Sequence, residues 1–133
     1  MVITSLVVKG KNKILCDDAA LIKDMILCEE GVATEINNNG CIAIADGVGG
    51  NAGGHDASQF LLNFIKDKWT SKLSKLETLE MLKEANLELI HYSEGIPEKS
   101  NMATTFTGLF YKDGIPLIAH VGNTRLYALQ GSY

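Results

Sequence analysis

A glycine-rich stretch directly after an apolar segment constrains the fold of this chain more than any other feature. Residues 41–45 are apolar throughout, as in a strand buried on both faces, and they lead into the stretch from Asp46 to Gly54. A carboxylate at the end of a buried strand is costly unless it is solvated, paired or bound to a cation. Asp46 is therefore either a ligand of a hard cation such as Mg²⁺ or Mn²⁺, with the Gly47 carbonyl as another donor, or a cap for the next helix.

A second acidic site precedes another apolar run. Asp17 and Asp18 are adjacent, and Ala19-Ala20 follow them. Adjacent residues in an extended segment point to opposite faces, so one carboxylate can face a metal while the other faces solvent. An exposed turn between strands is the alternative interpretation.

The glycine-rich stretch also fits a loose dinucleotide-binding pattern. Residues 47–52 satisfy G-x-G-x-x-G/A between a predicted strand and a predicted helix. The carboxylate of Asp46 would repel a pyrophosphate there. The acidic residue that should follow about 20 positions later, Asp67, lies inside the predicted helix instead of at a strand end. We therefore favour the cation site over a nucleotide site.

Periodicity and turn signals predict one layered α+β domain over residues 1–133. Two helices are predicted, and the second begins at an S-x-x-E capping box formed by Ser74 and Glu77. The last three strands should form a meander. The predicted elements are strands Val2–Val8, Ala19–Ile22, Met25–Glu29 paired with Val32–Ile36 as a hairpin, and Cys41–Ala45; helices Asp56–Trp69 and Ser74 to about Gly95; and strands Thr104–Tyr111, Ile115–Val121 and Arg125–Leu129.

Composition argues against several classes of protein. The net charge of -4 and the 21% of charged residues give no Lys/Arg excess for binding nucleic acid. The three cysteines do not have paired CxxC spacing. The absence of such pairs is typical of free thiols in a reducing compartment. No stretch approaches the ~20 apolar residues of a membrane span. We expect a cytoplasmic protein with no membrane or nucleic-acid partner.

Four blocks in order resemble the metal-dependent serine/threonine phosphatases of the protein phosphatase type 2C family. The residues from Ala43 to Ser58 look like the metal-binding motif in its bacterial form. The other three blocks look like the first acidic motif, the Met-Gly-Thr-Thr block and the Val-Gly-Asp-Ser-Arg block of that family. They are Asp17-Asp18-Ala19, Met102-Ala103-Thr104-Thr105 and Ala119-His120-Val121-Gly122-Asn123-Thr124-Arg125.

The resemblance implies a four-layer α-β-β-α sandwich of two antiparallel sheets flanked by helices, of which residues 1–133 are the N-terminal portion. It implies hydrolysis of phosphoserine or phosphothreonine in proteins by a water that two Mn²⁺ or Mg²⁺ ions activate. Because only part of the strands is present, some sheet edges should be open and favour a homodimer.

The resemblance also assigns site residues. Asp46 matches the carboxylate that bridges the two metal ions, Gly47 the residue that offers its carbonyl, and Asp18 the other acidic ligand. Asp18 and Asp46 are thus the predicted catalytic residues. Lys13 stands where the family usually has an arginine that binds the substrate phosphate; lysine keeps the charge but loses the bidentate geometry.

The sequence departs from the family pattern in three respects. Asn123 replaces an aspartate linked to a third, weaker metal site. Val48 replaces a histidine proposed as general acid in some relatives, so the proton donor is unassigned. Two further metal-binding aspartates of the family have no counterpart after Asn123. We therefore expect an incomplete site, either because the chain is a fragment of an active phosphatase or because it is a catalytically silent module that binds a protein or phosphoprotein.

The histidines are less informative. His120 lies in an apolar strand and is expected to be a hydrogen-bonded core residue and not a ligand. His55 and His91 lie on or near predicted helices and are expected to face solvent.

Overall fold

The computed structural model describes residues 2–28, 32–35, 38–48 and 53–131, with the backbone alone for residues 32–35. A short 3-10 helix, Pro97–Lys99, follows the second of two α-helices. The strands and helices are β1 (Val2–Ser5), β2 (Asp18–Ile22), β3 (Met25–Leu27), β4 (Val32–Glu35), β5 (Gly40–Val48), α1 (Gly53–Lys68), α2 (Lys75–Glu94), β6 (Ala103–Thr104), β7 (Phe106–Lys112) and β8 (Ile115–Val121).

Two antiparallel sheets form the β-structure of the described residues. The larger sheet has the order β3-β2-β5-β7-β8, and β6 pairs with the end of β5. The smaller sheet contains β1 and β4. β5 is central: residues 41–45 are apolar, five of its nine residues are buried, and it pairs with β2 on one side and β7 on the other. The α+β class with antiparallel sheets is confirmed.

Both helices cover the same face of the larger sheet. α1 lies over β2 and β5, and α2 lies beside α1. The capping box predicted for α2 is present, because the Ser74 hydroxyl accepts from the Glu77 amide and the Glu77 carboxylate accepts from the Ser74 amide. The buried core between helices and sheet comprises Ala19, Leu21, Cys41, Ala43, Ala45, Leu61, Leu62, Ile65, Met81, Ala85, Phe106 and Phe110.

The hairpin predicted between residues 25 and 36 is wrong. β3 instead pairs with β2 through a tight turn at Lys23-Asp24, and β4 pairs with β1. Lys23 has a φ of 58°, a left-handed conformation that lysine rarely adopts, so the sequence carried no glycine signal for this turn. Residues 29–31 and 36–37 lie outside the described part of the chain.

The predicted C-terminal meander is confirmed only in its first hairpin. Asp113 and Gly114 have φ angles of 50° and 81° and join β7 to β8 as predicted. The strand predicted for Arg125–Leu129 does not form, because this segment pairs with no described strand. The predicted strand Val2–Val8 ends at Ser5.

The other face of the larger sheet is only partly covered. Val7 and Cys16 pack on Ala20 at the β2 side. Ile44 and Ile118, farther across the sheet, are 41% and 55% exposed. Burial raises the pKa of the Cys41 thiol to about 12. None of the described helices is long and apolar enough to cross a membrane.

Candidate metal centre

The two acidic residues predicted as ligands lie directly opposite one another on paired strands. Asp18 begins β2, Asp46 lies near the end of β5, and the two are register partners. Directly opposite residues of an antiparallel pair point to the same face, with Cβ atoms about 5 Å apart. Both residues line a cleft of about 260 Å³ on the face away from the helices. The structure therefore brings the two predicted carboxylates together.

The electrostatics of Asp18 show the cost of this arrangement. Partial burial raises the pKa of its carboxyl above the ordinary value, and the nearby carboxylate of Asp46 raises it further. Because the pKa of Asp18 is higher in the folded state than in the unfolded state, ionisation of Asp18 lowers the free energy of unfolding. This penalty is absent below the unfolded-state pKa and develops as the pH rises through the folded-state pKa. A bound cation between the carboxylates would relieve the repulsion.

Asp17 points away from this pair, as the alternation of an extended segment predicts. Its carboxylate forms an ion pair with the Lys13 ammonium at 2.7 Å. That hydrogen bond raises the pKa of Lys13. The Asp17 side chain is 19% exposed, whereas the Lys13 side chain is 60% exposed. Lys13 therefore lies next to the acidic pair but is held by Asp17.

Close backbone contact explains two of the glycines. A Cβ atom on Gly47 would lie 1.9 Å from the Gly54 carbonyl oxygen, and one on Gly54 would lie 2.7 Å from the Gly47 carbonyl oxygen. The Gly47 amide also donates to the Asp17 carbonyl at 3.1 Å. The first turn of α1 thus packs directly on β5, and a Cβ at Gly54 would collide with the Gly47 carbonyl. Residues 49–52 of the glycine-rich stretch lie outside the described part of the chain.

Thr105 holds the backbone of Asp46 in place. Its hydroxyl accepts from the Asp46 amide at 3.0 Å, and its amide donates to the Asp46 carbonyl at 2.9 Å. Sequence reasoning placed Thr105 within a family block but gave it no role. The signal in the sequence for this role was the pair of adjacent threonines, Thr104-Thr105, at a strand start. A threonine hydroxyl can accept a hydrogen bond from a backbone amide where the pairing between strands is interrupted.

The histidines differ in part from expectation. His120 is exposed and not part of the core, although its Nδ1 lies 2.9 Å from the Thr107 hydroxyl. His55 is half-buried, and its Nδ1 contacts the Cys16 carbonyl at 2.7 Å, so it supports the segment just before the acidic pair. His91 is exposed, as predicted.

The donor set fits a hard divalent cation that keeps most of its water. Carboxylate and carbonyl oxygens are the ligands that Mg²⁺ and Mn²⁺ prefer, and Mg²⁺ often binds through only one or two carboxylates. Within residues 2–28, 38–48 and 53–131, no group of three or more His, Cys, Asp or Glu side chains converges on a possible metal position. The described residues therefore supply part of a metal site.

Comparison with known proteins finds relatives among curated sequences but no family model. No protein-family model matches the chain. It is 32% identical over 107 residues to the serine/threonine phosphatase stp of Listeria monocytogenes serotype 4b, and that alignment covers 75% of this chain and 42% of the relative. The protein of the same name from Listeria innocua is 30% identical over 107 residues, with the same coverage. The chain spans less than half the length of these curated relatives.

Solved structures share its fold. The serine/threonine phosphatase PstP/Ppp of Mycobacterium tuberculosis matches with a TM-score of 0.63 and 18% identity, over 92% of this chain and 46% of that one. The PPM Ser-Thr phosphatase MsPP of Mycobacterium smegmatis, solved with cacodylate, matches with a TM-score of 0.59 and 22% identity, over 92% and 44%. The PstP catalytic domain solved with two manganese ions gives a TM-score of 0.61 and 19% identity, over 92% and 47%. The sequence relatives and the shared fold together show that this chain belongs to the PPM family of serine/threonine phosphatases, over the part of those proteins that it spans.

Proposed function

We propose that this chain contributes to metal-dependent hydrolysis of phosphoserine or phosphothreonine in proteins. The observation that carries the proposal is the pairing of Asp18 with Asp46 across β2 and β5, in one cleft and on one face. Two carboxylates that face each other in one cleft suit a cation better than they suit a purely structural role. The PstP structure with two manganese ions supports the same chemistry.

Asp18, Asp46 and the Gly47 carbonyl would hold the metal, which we take to be Mn²⁺ or Mg²⁺, with two ions in the complete site. When bound, these ions lower the pKa of a water and neutralise charge on phosphoryl oxygens. The chain itself fixes the ligand geometry. β2 and β5 set the separation of the carboxylates, Thr105 holds the Asp46 backbone, and Gly54 packs against the Gly47 carbonyl without the clash that a Cβ would cause.

Lys13 is our candidate for binding the substrate phosphate. Its ammonium contacts Asp17, the chain neighbour of Asp18, and the Lys13 side chain remains 60% exposed. An incoming phosphate would compete with Asp17 for this ammonium, because both are anionic acceptors. The cacodylate in the MsPP structure indicates that a related protein accepts an oxyanion. The physiological partner would then be a phosphoprotein, in the cytoplasm.

A silent binding module is the second candidate function. The lysine at position 13 and Asn123 in place of an acidic residue both weaken the predicted catalytic site. Such a module would bind a protein or phosphoprotein without hydrolysing it. A silent module does not need two carboxylates that repel each other. Metal binding at Asp18 and Asp46 would therefore favour the enzyme hypothesis over the silent module.

Metal binding tests the proposal most directly. Calorimetric titration of the 133-residue chain with Mn²⁺ should show weak binding, because two carboxylates and one carbonyl leave most of the coordination shell to water. Asp46→Ala should abolish it, whereas Asp24→Ala, in the exposed β2–β3 turn, should leave it unchanged. Unaltered binding in Asp46→Ala would remove Asp46 from the site, and loss in Asp24→Ala would indicate nonspecific binding.

We also propose that a second copy of the chain covers the open edge of the larger sheet. β8 is the last strand of that sheet among the described residues. An apolar groove of about 870 Å³ lies between β8 and α2. Leu87 on α2 and Val121 on β8 are 56% and 62% exposed there. Pro116 cannot donate a backbone hydrogen bond, so strand pairing would involve residues 117–121. Two copies related by a twofold axis would bury each other's groove.

Light scattering tests this association. The wild-type chain should be dimeric at high concentration, and Leu87→Lys should be monomeric because it places a charge in the buried groove. Val2→Lys, at an exposed position on β1, should remain dimeric. A wild-type chain that stays strictly monomeric, or a dimer that survives Leu87→Lys, would contradict the proposal.

A further inference from the structure

Among the described residues that line the cleft of Asp18 and Asp46, only Thr124 carries a side-chain hydroxyl. Of the nine residues that line this cleft, six are apolar, two are the carboxylates, and the ninth is Thr124. Ionised carboxylates only accept hydrogen bonds, and apolar side chains neither donate nor accept them. A phosphoryl oxygen in the cleft can therefore receive a side-chain hydrogen bond only from Thr124 among these nine residues.

A chain of three side chains leads from Thr124 to the edge of the sheet. The Thr124 hydroxyl lies 2.6 Å from the Thr107 hydroxyl, which lies 2.9 Å from the Nδ1 of His120. Thr107 is only 5% exposed, so water has little access to the middle of this chain. Thr107 and His120 are register partners on β7 and β8, which fixes their separation.

Two hydrogen-bond orders give the single Thr107 hydrogen a partner among these side chains, because it can be donated either to His120 or to Thr124. In the first order, Thr107 donates to His120 and accepts from Thr124, so Thr124 presents only lone pairs to the cleft. In the second order, Nδ1–H of His120 donates to Thr107, and Thr107 donates to Thr124. The hydrogen of Thr124 is then free to point into the cleft.

We propose that His120 and Thr107 are positioning residues that present the Thr124 hydroxyl as a donor to a phosphoryl oxygen in the cleft. This inference rests on the proposed function, since the carboxylates repel an oxyanion unless a cation is bound. An unprotonated phosphoryl oxygen in the cleft selects the second order, because such an oxygen accepts but does not donate a hydrogen bond. The tautomer of His120 therefore responds to an anion that it does not touch.

Binding of inorganic phosphate in the presence of saturating Mg²⁺ tests the relay in the full chain. Thr124→Val should lower phosphate affinity about tenfold, because it removes a charge-assisted hydrogen bond. Thr107→Val should also weaken phosphate binding, and the double variant should bind no more weakly than Thr124→Val. Thr107→Ser, which keeps the hydroxyl, should restore affinity. All four variants should bind Mg²⁺ as the wild type does.

The ring nitrogens of His120 give a second readout that a merely structural role would not move. Phosphate should shift their ¹⁵N resonances toward the Nδ1–H tautomer in the wild type and in Thr107→Ser, but not in Thr107→Val. Wild-type phosphate affinity in Thr124→Val, or unchanged His120 resonances while phosphate is bound, would overturn the relay alone. A wild-type chain that bound no Mg²⁺ would overturn the proposed function and the relay with it.

Discussion

The Gly47→Ala variant is expected to lose roughly 3–4 kcal/mol of its free energy of unfolding, a large part of the stability of a small domain. The new methyl group would lie 1.9 Å from the carbonyl oxygen of Gly54 and 2.9 Å from that of Asp17. Both atoms belong to the backbone, so neither can move aside by a rotamer change. Relief requires α1 to separate from β5, which opens the core beneath it. Chemical denaturation of the wild type and the variant measures the loss.

Gly95→Ala is the matched control for this substitution. Gly95 ends α2 with a φ of -75°, and its added Cβ would find its nearest atom, the Tyr92 carbonyl oxygen, at 3.9 Å. Alanine fits there without strain, and it should be neutral or stabilise by up to about 1 kcal/mol. Gly54→Ala should resemble Gly47→Ala, since its Cβ would meet the same contact from the other side. Equal stability of Gly47→Ala and Gly95→Ala would show that α1 does not pack on β5 as closely as described.

Catalysis should depend on ligands that the described residues do not supply. The 133-residue chain with Mn²⁺ should hydrolyse p-nitrophenyl phosphate slowly or not at all, because two-metal hydrolysis needs both ions held close together. A longer protein, in which this chain is joined to the part of the Listeria phosphatase that it does not cover, should be active. In that protein Asp46→Ala or Asp18→Ala should lower kcat/KM at least about 100-fold, since each removes a metal ligand.

Lys13→Ala separates substrate binding from metal binding in the same assay. It should mainly raise KM, because the proposed contact of its ammonium with phosphate would be the same in the ground state and the transition state. Lys23→Ala, at an exposed turn, is its control. Robust Mn²⁺-dependent turnover by the 133-residue chain would contradict the incomplete site. A folded, Mn²⁺-binding longer protein with no turnover would instead favour the silent binding module.

Sequence periodicity predicted the helices and the central strands well, because their apolar patterns are long enough to distinguish one period from another. The pairing of β3 and β4 was not predictable in the same way. They were predicted to pair with each other, yet β3 turns back on β2 through Lys23 in a left-handed conformation, and β4 pairs with β1. The predicted strand Arg125–Leu129 has the right composition, but a strand needs a partner, and composition does not show where that partner lies.

The candidate site was predictable to the extent that neighbouring residues define it. Alternation along an extended segment correctly implied that only one of Asp17 and Asp18 faces the same side as Asp46. The supporting residues were less visible. Thr105 contacts the backbone of Asp46, and Thr124 lines the cleft of the two carboxylates, and only the fold brings these residues there. Lys13 was predicted to bind an anion, but its ion pair with Asp17 could not be predicted without the fold.

Because Asp18 and Asp46 are register partners, binding of a cation between them should depend on the register of β2 and β5. A slip of one residue between β2 and β5 would turn one carboxylate toward the helices and separate the pair. Insertions between the two strands would leave the site unchanged, whereas a single insertion within either strand would destroy it. Homologous chains should therefore vary in length between these strands and keep the number of residues within them, and a variant that folds with a shifted register should be detectable by its failure to bind Mn²⁺.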